Sequence, residues 1–225
     1  MSEASGAPPS PPDPAAFIRA NTRLLSPPLV PEVRLHLAEE SLPIWQRTEE
    51  ELGEIGLPPP YWAFAWAGGQ ALARHLIDNP GLVQGKRVVD IASGSGLDAI
   101  AAMRAGARCA LASDIDVFAL AAIGLNAAAN GVGVDVTGED LLAGPVPSAD
   151  VVLVGDIFYE KPLAERALRW LDRCRHAGLD ILIGDPGRSY CPKDRLLAIA
   201  TYSVPVTREL EDTELKRTTV WRLTD

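Results

Sequence analysis

From residue 68 to residue 185 the chain alternates helix-period segments with short, almost wholly apolar runs, and this alternation limits its fold more than any other feature. The helical segments are GGQALARHLIDN, LDAIAAMRAG, VFALAAIGLNAAANG and LAERALRWLDRCRHAG. The runs are KRVVDIA, RCALASD, VDVTGED, ADVVLVGD and LDILIGD. A strand with one wet face alternates polar and apolar residues; a run such as VVLV does not, so both its faces must be covered. Strands of this kind separated by helices predict an α/β fold with a doubly wound, mostly parallel sheet. Further on, TYSVPVTREL and TTVWRLT are two more strand-like runs joined by the polar EDTELKR. They predict an antiparallel hairpin added to the sheet edge.

Upstream, AAFIRANTRLL has helical spacing over Phe17, Ile18, Leu24 and Leu25, and PEVRLHLA alternates Val33, Leu35 and Leu37 as a short strand would. Residues 44 to 55 are charged and read as a helix, which the prolines of LPPPYW bring to an end. The expected division is a disordered tail at 1–14, an N-terminal extension at 15–62 and a main domain at 63–225. MSEASGAPPSPPDP lacks the basic start and apolar core of a signal peptide, and no apolar run reaches the roughly 18 residues of a spanning helix. A soluble protein with no membrane partner is expected. A net charge of −9, from 21 basic and 30 acidic residues, argues against nucleic acid as the main partner. Cys109, Cys174 and Cys191 are odd in number and show no C-x-x-C pair, which predicts free thiols in the reducing cytoplasm and no zinc site. His36, His75 and His176 are each isolated, with no ligand or triad partner in view.

The chemistry gathers at the carboxyl ends of the strands, where ligands of such sheets lie. VVDIA runs into SGSGLDAIAA, a glycine-rich turn between a buried strand and a helix, and Gly94 and Gly96 let the backbone approach a ligand closely. Asp114 ends the next strand, placed to accept ribose hydroxyls. Two ligands fit. Gly94, Gly96 and Ala99 with a downstream acid match a dinucleotide fingerprint. Asp90, inside the strand before the turn, is unwelcome to a pyrophosphate but suits the cationic S-adenosylmethionine, which carries a sulfonium and an ammonium. At the tip of the fourth strand stands another acid, Asp156, with Tyr159 three residues on. A helix-start acid is the plain alternative for it, since KPLAERALRWL follows.

VVDIASGSGL, SDID and LNAAANG resemble the seven-β-strand, Rossmann-like class I of S-adenosylmethionine-dependent methyltransferases, whose last strand is antiparallel. The resemblance implies that Gly94, Ser95 and Gly96 line the methionine end, with Asp90 beneath it, Asp114 on the ribose, and Asp140 and Leu141 at the adenine. Asp116 is open between the ribose and a helix cap. Ala92 departs from the class, standing where many members have the first glycine. A D-x-x-Y tetrapeptide, here Asp156 to Tyr159, resembles the branch that methylates protein lysines. A carboxylate can draw in and orient an ammonium, and an aromatic face accommodates it. That implies Asp156 as the lysine-binding acid and Tyr159 as channel wall.

PYWAFAWAGGQALARHLIDNP, GDIFY, LIGDPGR and TTVW together resemble the electron transfer flavoprotein β-subunit lysine methyltransferases from about residue 17 onward. By that resemblance Trp66 contacts the cofactor, though packing alone is an equal reading for it, and the partner is that β subunit; Gly155 is also expected at the cofactor, and the enzyme is expected to be a monomer without metal. Arg188, in GDPGR with Asp185 and Gly187, is expected either to dock the substrate or to pair with a local acid. Two rival readings remain: a ribosomal-protein lysine methyltransferase, and a module that binds S-adenosylmethionine without transfer.

Overall fold

The computed structural model describes residues 13–39, 59–206 and 214–224; most of the expected tail and the expected helix at 44 to 55 lie outside them. Helix α1 (Pro14–Asn21) is capped by Asp13, whose carboxylate accepts the Ala15 and Ala16 N–H groups. Apolar spacing carries on to Leu25, but the helix stops at Asn21. The Asn21 amide and the Thr22 hydroxyl bond back to the carbonyls of Phe17 and Ile18, and the chain turns extended. Strand β1 (Arg23–Leu25) then pairs antiparallel with β2 (Leu35–Leu37).

The main sheet uses β3 (Arg87–Ile91), β4 (Cys109–Ser113), β5 (Asp135–Thr137), β6 (Val151–Gly155), β7 (Asp180–Asp185), β8 (Leu196–Pro205) and β9 (Leu215–Leu223). Their order is β5-β4-β3-β6-β7-β9-β8. The first five are parallel, and β9 is antiparallel to both its neighbours. Between them run α2 (Ala67–Asp78), α3 (Leu97–Arg104), α4 (Val117–Ala129) and α5 (Lys161–His176). The strands' two-residue period sorts the core. Val88, Val151, Leu153 and Leu182 pack with α2, α3 and α4, whereas Val89, Val152, Val154, Ile181 and Ile183 pack with Trp170 and Leu171 of α5. The chain goes outward from β3 to β4 and β5, then returns to β6 on the other side. The switch point therefore falls between β3 and β6.

The C-terminal hairpin differs from the expectation in one respect. Its second strand, β9, docks on β7, so β8 becomes the edge, and β8 begins at Leu196 rather than near Thr201. Leu197 is 55% exposed and the register shifts between Ala198 and Ala200; an edge strand with a bulge lacks the clean pattern of a covered one. No helix among the described residues is long and apolar enough to cross a membrane.

The N-terminal segment is built into the same core. Val30, Val33 and Leu35 are fully buried with α2 and α3, and Ile18 packs against Trp62, Phe118 and Ala122. Asn126 of α4 and Asn130, which caps the C-terminus of that helix, stitch it down. Asn126 accepts the His36 N–H at 2.7 Å, and the Asn130 side chain accepts the Arg34 N–H and donates to the Arg34 carbonyl.

Candidate active site

At the switch point β3 ends in Asp90 and Ile91, and the chain leaves the sheet through Ala92 at φ 48. Gly94 at φ 55 and Gly96 at φ 82 then bend it into α3, in the left-handed conformation that glycine adopts freely. Asp90, 1% exposed, braces this loop from beneath: its Oδ2 accepts the Ser93 hydroxyl and the Ala99 N–H. Asp114, after β4, braces it from the side, accepting the Gly94 N–H at 2.8 Å and the Asp116 N–H at 3.0 Å. Burial pushes Asp90 up to about 7, and Asp114 adds to the shift by repulsion; Asp114 itself is raised chiefly by burial. Ser95 is buried, and its carbonyl accepts the Asn126 amide.

Other expected positions are occupied in particular ways. Asp116 caps α4, accepting the Phe118 N–H, and burial raises it to about 6; of its two readings, the observed contact is the helix cap. The Asp140 carboxylate pairs with Arg166 of α5 and precedes the short helical turn Leu141–Ala143. The segment facing the glycine loop is Trp62, whose Cα would lie 3.7 Å from a Cβ on Gly94. Trp66 stands farther along, with its ring near Tyr61 and Phe64.

Asp156 follows β6 in a left-handed conformation, φ 56, and is 7% exposed. Its Oδ2 accepts the Gly68 N–H of α2 at 2.8 Å, and its Oδ1 takes Arg188 Nε at 2.5 Å. The Arg188 guanidinium lies 5.9 Å from the centre of the Trp66 ring, while its backbone N–H and that of Gly187 donate to Asp185 Oδ1. Of the two expectations for Arg188, pairing with a local acid is what the geometry shows. Tyr159, 40% exposed, has its ring 5.5 Å from that of Tyr61; burial, with nearby acids, pushes its hydroxyl up to about 12, so it stays protonated. Through Arg188 the buried carboxylate is thus linked to Trp66, whose ring joins those of Tyr61, Phe64 and Tyr159 in one aromatic group.

What brings these parts together is a glycine contact that sequence reasoning missed. A Cβ on Gly68 would fall 2.4 Å from the Gly184 carbonyl oxygen, and one on Gly184 would fall 2.1 Å from that of Gly68. WAGGQ and IGDPGR therefore touch backbone to backbone, which seats the α2 N-terminus on Asp156. Asp98 was missed as well. It is 5% exposed, its Oδ1 has no hydrogen-bond partner among the described residues, and its Oδ2 fills the space beside Gly155, 2.6 Å from where a Cβ would stand. Gly155 thus makes room for Asp98, whatever else it lines. Burial and repulsion from Asp90 and Asp156 raise Asp98 well above an ordinary carboxyl. An acid inside the apolar LDAIAA was the available signal, and the first turn of a helix disguised it.

The chain is 40% identical over 214 residues, 92% of its length, to a Xenopus laevis protein named electron transfer flavoprotein beta subunit lysine methyltransferase, covering 86% of that relative. It belongs to the electron transfer flavoprotein β-subunit lysine methyltransferase family. The human member is 36% identical over 93% of this chain and 82% of its own. A Caenorhabditis elegans homologue of the family is 34% identical over 77% of each chain. Residues 72–161, which carry the glycine loop and Asp156, also match the ribosomal protein L11 methyltransferase (PrmA) family. Among solved structures, a Thermoplasma acidophilum protein superposes with a TM-score of 0.55 at 18% identity, over 69% of this chain and 89% of that one. A Pyrococcus abyssi tRNA (uracil-54, C5)-methyltransferase solved with S-adenosyl-L-homocysteine does so with a TM-score of 0.50 at 19% identity, over 68% of this chain and 38% of that one. At such identity these share the fold, the Rossmann-like class I methyltransferase sheet, and family membership rests on the first relatives.

Proposed function

We propose that this chain transfers methyl groups from S-adenosylmethionine to lysine ε-amines of the electron transfer flavoprotein β subunit. The observation that carries this is the 40% identity over 92% of the chain to a relative bearing that activity in its name. The match to the ribosomal L11 methyltransferases spans only 72–161, the cofactor half, and says little about the target.

The cofactor fits the residues present. Asp90 and Asp114 are acids raised by burial, and no cationic side chain among the described residues pairs with either. A ligand carrying positive charge relieves them; a pyrophosphate would not. When bound, S-adenosylmethionine supplies the reactive methyl group. On this reading Gly94, Ser95 and Gly96 approach its methionine end, Asp114 accepts the ribose hydroxyls, Asp140 and Leu141 border the adenine, and Trp66 and Gly155 line the passage to the amine. Asp156 draws in the lysine and orients its nitrogen, and Tyr159 with Tyr61 and Trp66 walls the channel. Enclosure by these rings disfavours the ammonium form and so helps the amine shed its proton. Tyr159, protonated far above neutrality, serves as wall rather than base. The same reading takes the enzyme as a monomer of the cytoplasm, with Cys109, Cys174 and Cys191 as free thiols.

Mass spectrometry of purified β subunit, incubated with enzyme and S-adenosylmethionine, tests this. One-methyl increments on lysines are expected, and Asp156→Asn should nearly abolish them. No increment, or equal rates for the variant, would sink the proposal.

A further inference from the structure

Asp156 already holds a cation. Arg188 Nε sits 2.5 Å from its Oδ1, and the guanidinium lies over Trp66 at 5.9 Å. A carboxylate below and an aromatic face alongside are the features proposed above for the substrate ammonium. Both Asp156 oxygens are engaged, since Oδ2 accepts the Gly68 N–H. A lysine nitrogen approaching Oδ1 therefore competes there with a cation already seated.

The structure also offers the guanidinium somewhere to go. Asp185, 1% exposed, accepts the Gly187 and Arg188 N–H groups on Oδ1. Its Oδ2 is buried and takes no N–H or O–H from a described residue; only the Cys191 thiol, a weak donor, acts on this carboxyl there. Because Asp185 anchors the backbone of Arg188 itself, the side chain can exchange one carboxylate for the other without moving its own main chain. Gly187 at φ 92 makes the turn in which the Arg188 N–H is held by Asp185 while its side chain reaches Asp156.

We infer that Arg188 is a specificity-determining residue that occupies the seat of the substrate ammonium in the resting enzyme, and that an incoming lysine takes Asp156 from it while Arg188 passes to Asp185. This rests on the reading of Asp156 as the lysine-binding acid. The exchange swaps one cation for another, so the buried charge on Asp156 is compensated before and after. A neutral side chain of similar length would break the pair and leave Asp156 uncompensated, which excludes it. The seat thereby selects lysine over uncharged side chains by a penalty against the wrong partner as well as by attraction for the right one.

The test uses the full chain, ¹⁵N-labelled at arginine and saturated with S-adenosylhomocysteine, with Nα-acetyl-lysine methylamide as probe. The Arg188 Nε–H resonance is assigned by its loss in Arg188→Gln. Saturation with the probe should shift it away from its carboxylate-bound position, and the uncharged norleucine analogue should leave it in place. Removing the internal competitor in Arg188→Gln should lower KM for the probe by up to about tenfold, as expected if the open seat is a minor population. Arg188→Lys, which keeps a competing cation, should retain the higher KM. A resonance unmoved at saturation, or a KM in Arg188→Gln equal to or above the parent's, overturns the exchange. Asp156→Asn separates the two claims. If that variant is inactive while Arg188 stays put in the parent, the lysine reading stands and the exchange alone fails; if it is fully active, the lysine reading fails as well.

Discussion

Two residues at the switch point bear strain of different kinds. Ala92 holds φ 48, where a Cβ crowds the following carbonyl at a cost of roughly 1–2 kcal/mol. Glycine relieves that but loses more backbone entropy on folding. Ala92→Gly is therefore expected to raise the unfolding free energy by about 0.5–1 kcal/mol, measured by urea titration. Asp98 is strained electrostatically. Its native carboxyl binds a proton far more tightly than the unfolded chain's, near 3.8, so stability falls as pH rises from about 4 towards its raised native value. Asp98→Asn removes this liability. Its melting temperature relative to the parent should be at least about 2 °C more favourable at pH 8 than at pH 5, and a pH-independent offset would refute the assignment. Asp90 and Asp114 were legible because each follows an apolar run and stands beside a glycine turn or at a strand tip. Asp98 was not, since its isolation becomes visible only when α3 is laid against Gly155.

At the scale of elements, the α2 N-terminus and the end of β7 are fitted to each other at Gly68 and Gly184. Gly184→Ala would drive a methyl group to 2.1 Å from a main-chain oxygen, which no rotamer change can relieve. The expected cost is about 3 kcal/mol, with methyl transfer falling more than stability alone explains because Gly68 withdraws from Asp156. Gly81→Ala, with nothing within 4 Å of the new carbon, is the control and should be near neutral in thermal unfolding. Element type was plain from sequence wherever a strand has two covered faces, as in β3, β6 and β7. It was less plain at β1, where the apolar spacing of Leu24 and Leu25 continued the helical pattern. There the side chains of Asn21 and Thr22, which periodicity ignores, end the helix. The place of β9 inside β8 could not be read either, because hairpin signals say that two strands pair and not which of them meets the sheet.

Over the whole molecule, charge is unevenly placed. Asp90, Asp114, Asp116, Asp140, Asp156 and Asp185 all stand at the carboxyl edge, and the chain carries a net −9. Arg166 and Arg188 offset Asp140 and Asp156, so attraction for a cationic cofactor and a lysine-bearing partner rests on the other acids of this edge and on the net charge. Raising sodium chloride from about 50 to about 300 mM should lower kcat/KM for the β subunit several-fold and leave kcat nearly constant, as screening slows encounter rather than chemistry. A salt-independent kcat/KM would remove electrostatic steering from the account. The contact between Gly68 and Gly184 has a bearing on time as well as on space. Translation delivers the glycine loop, Asp156 and α2 well before Gly184, so a chain still on the ribosome can shape its cofactor turn while α2 has no strand end to rest on. On the proposed reading of Asp156, the amine seat is then the later of the two to form, and methyl transfer waits for the strand that completes it.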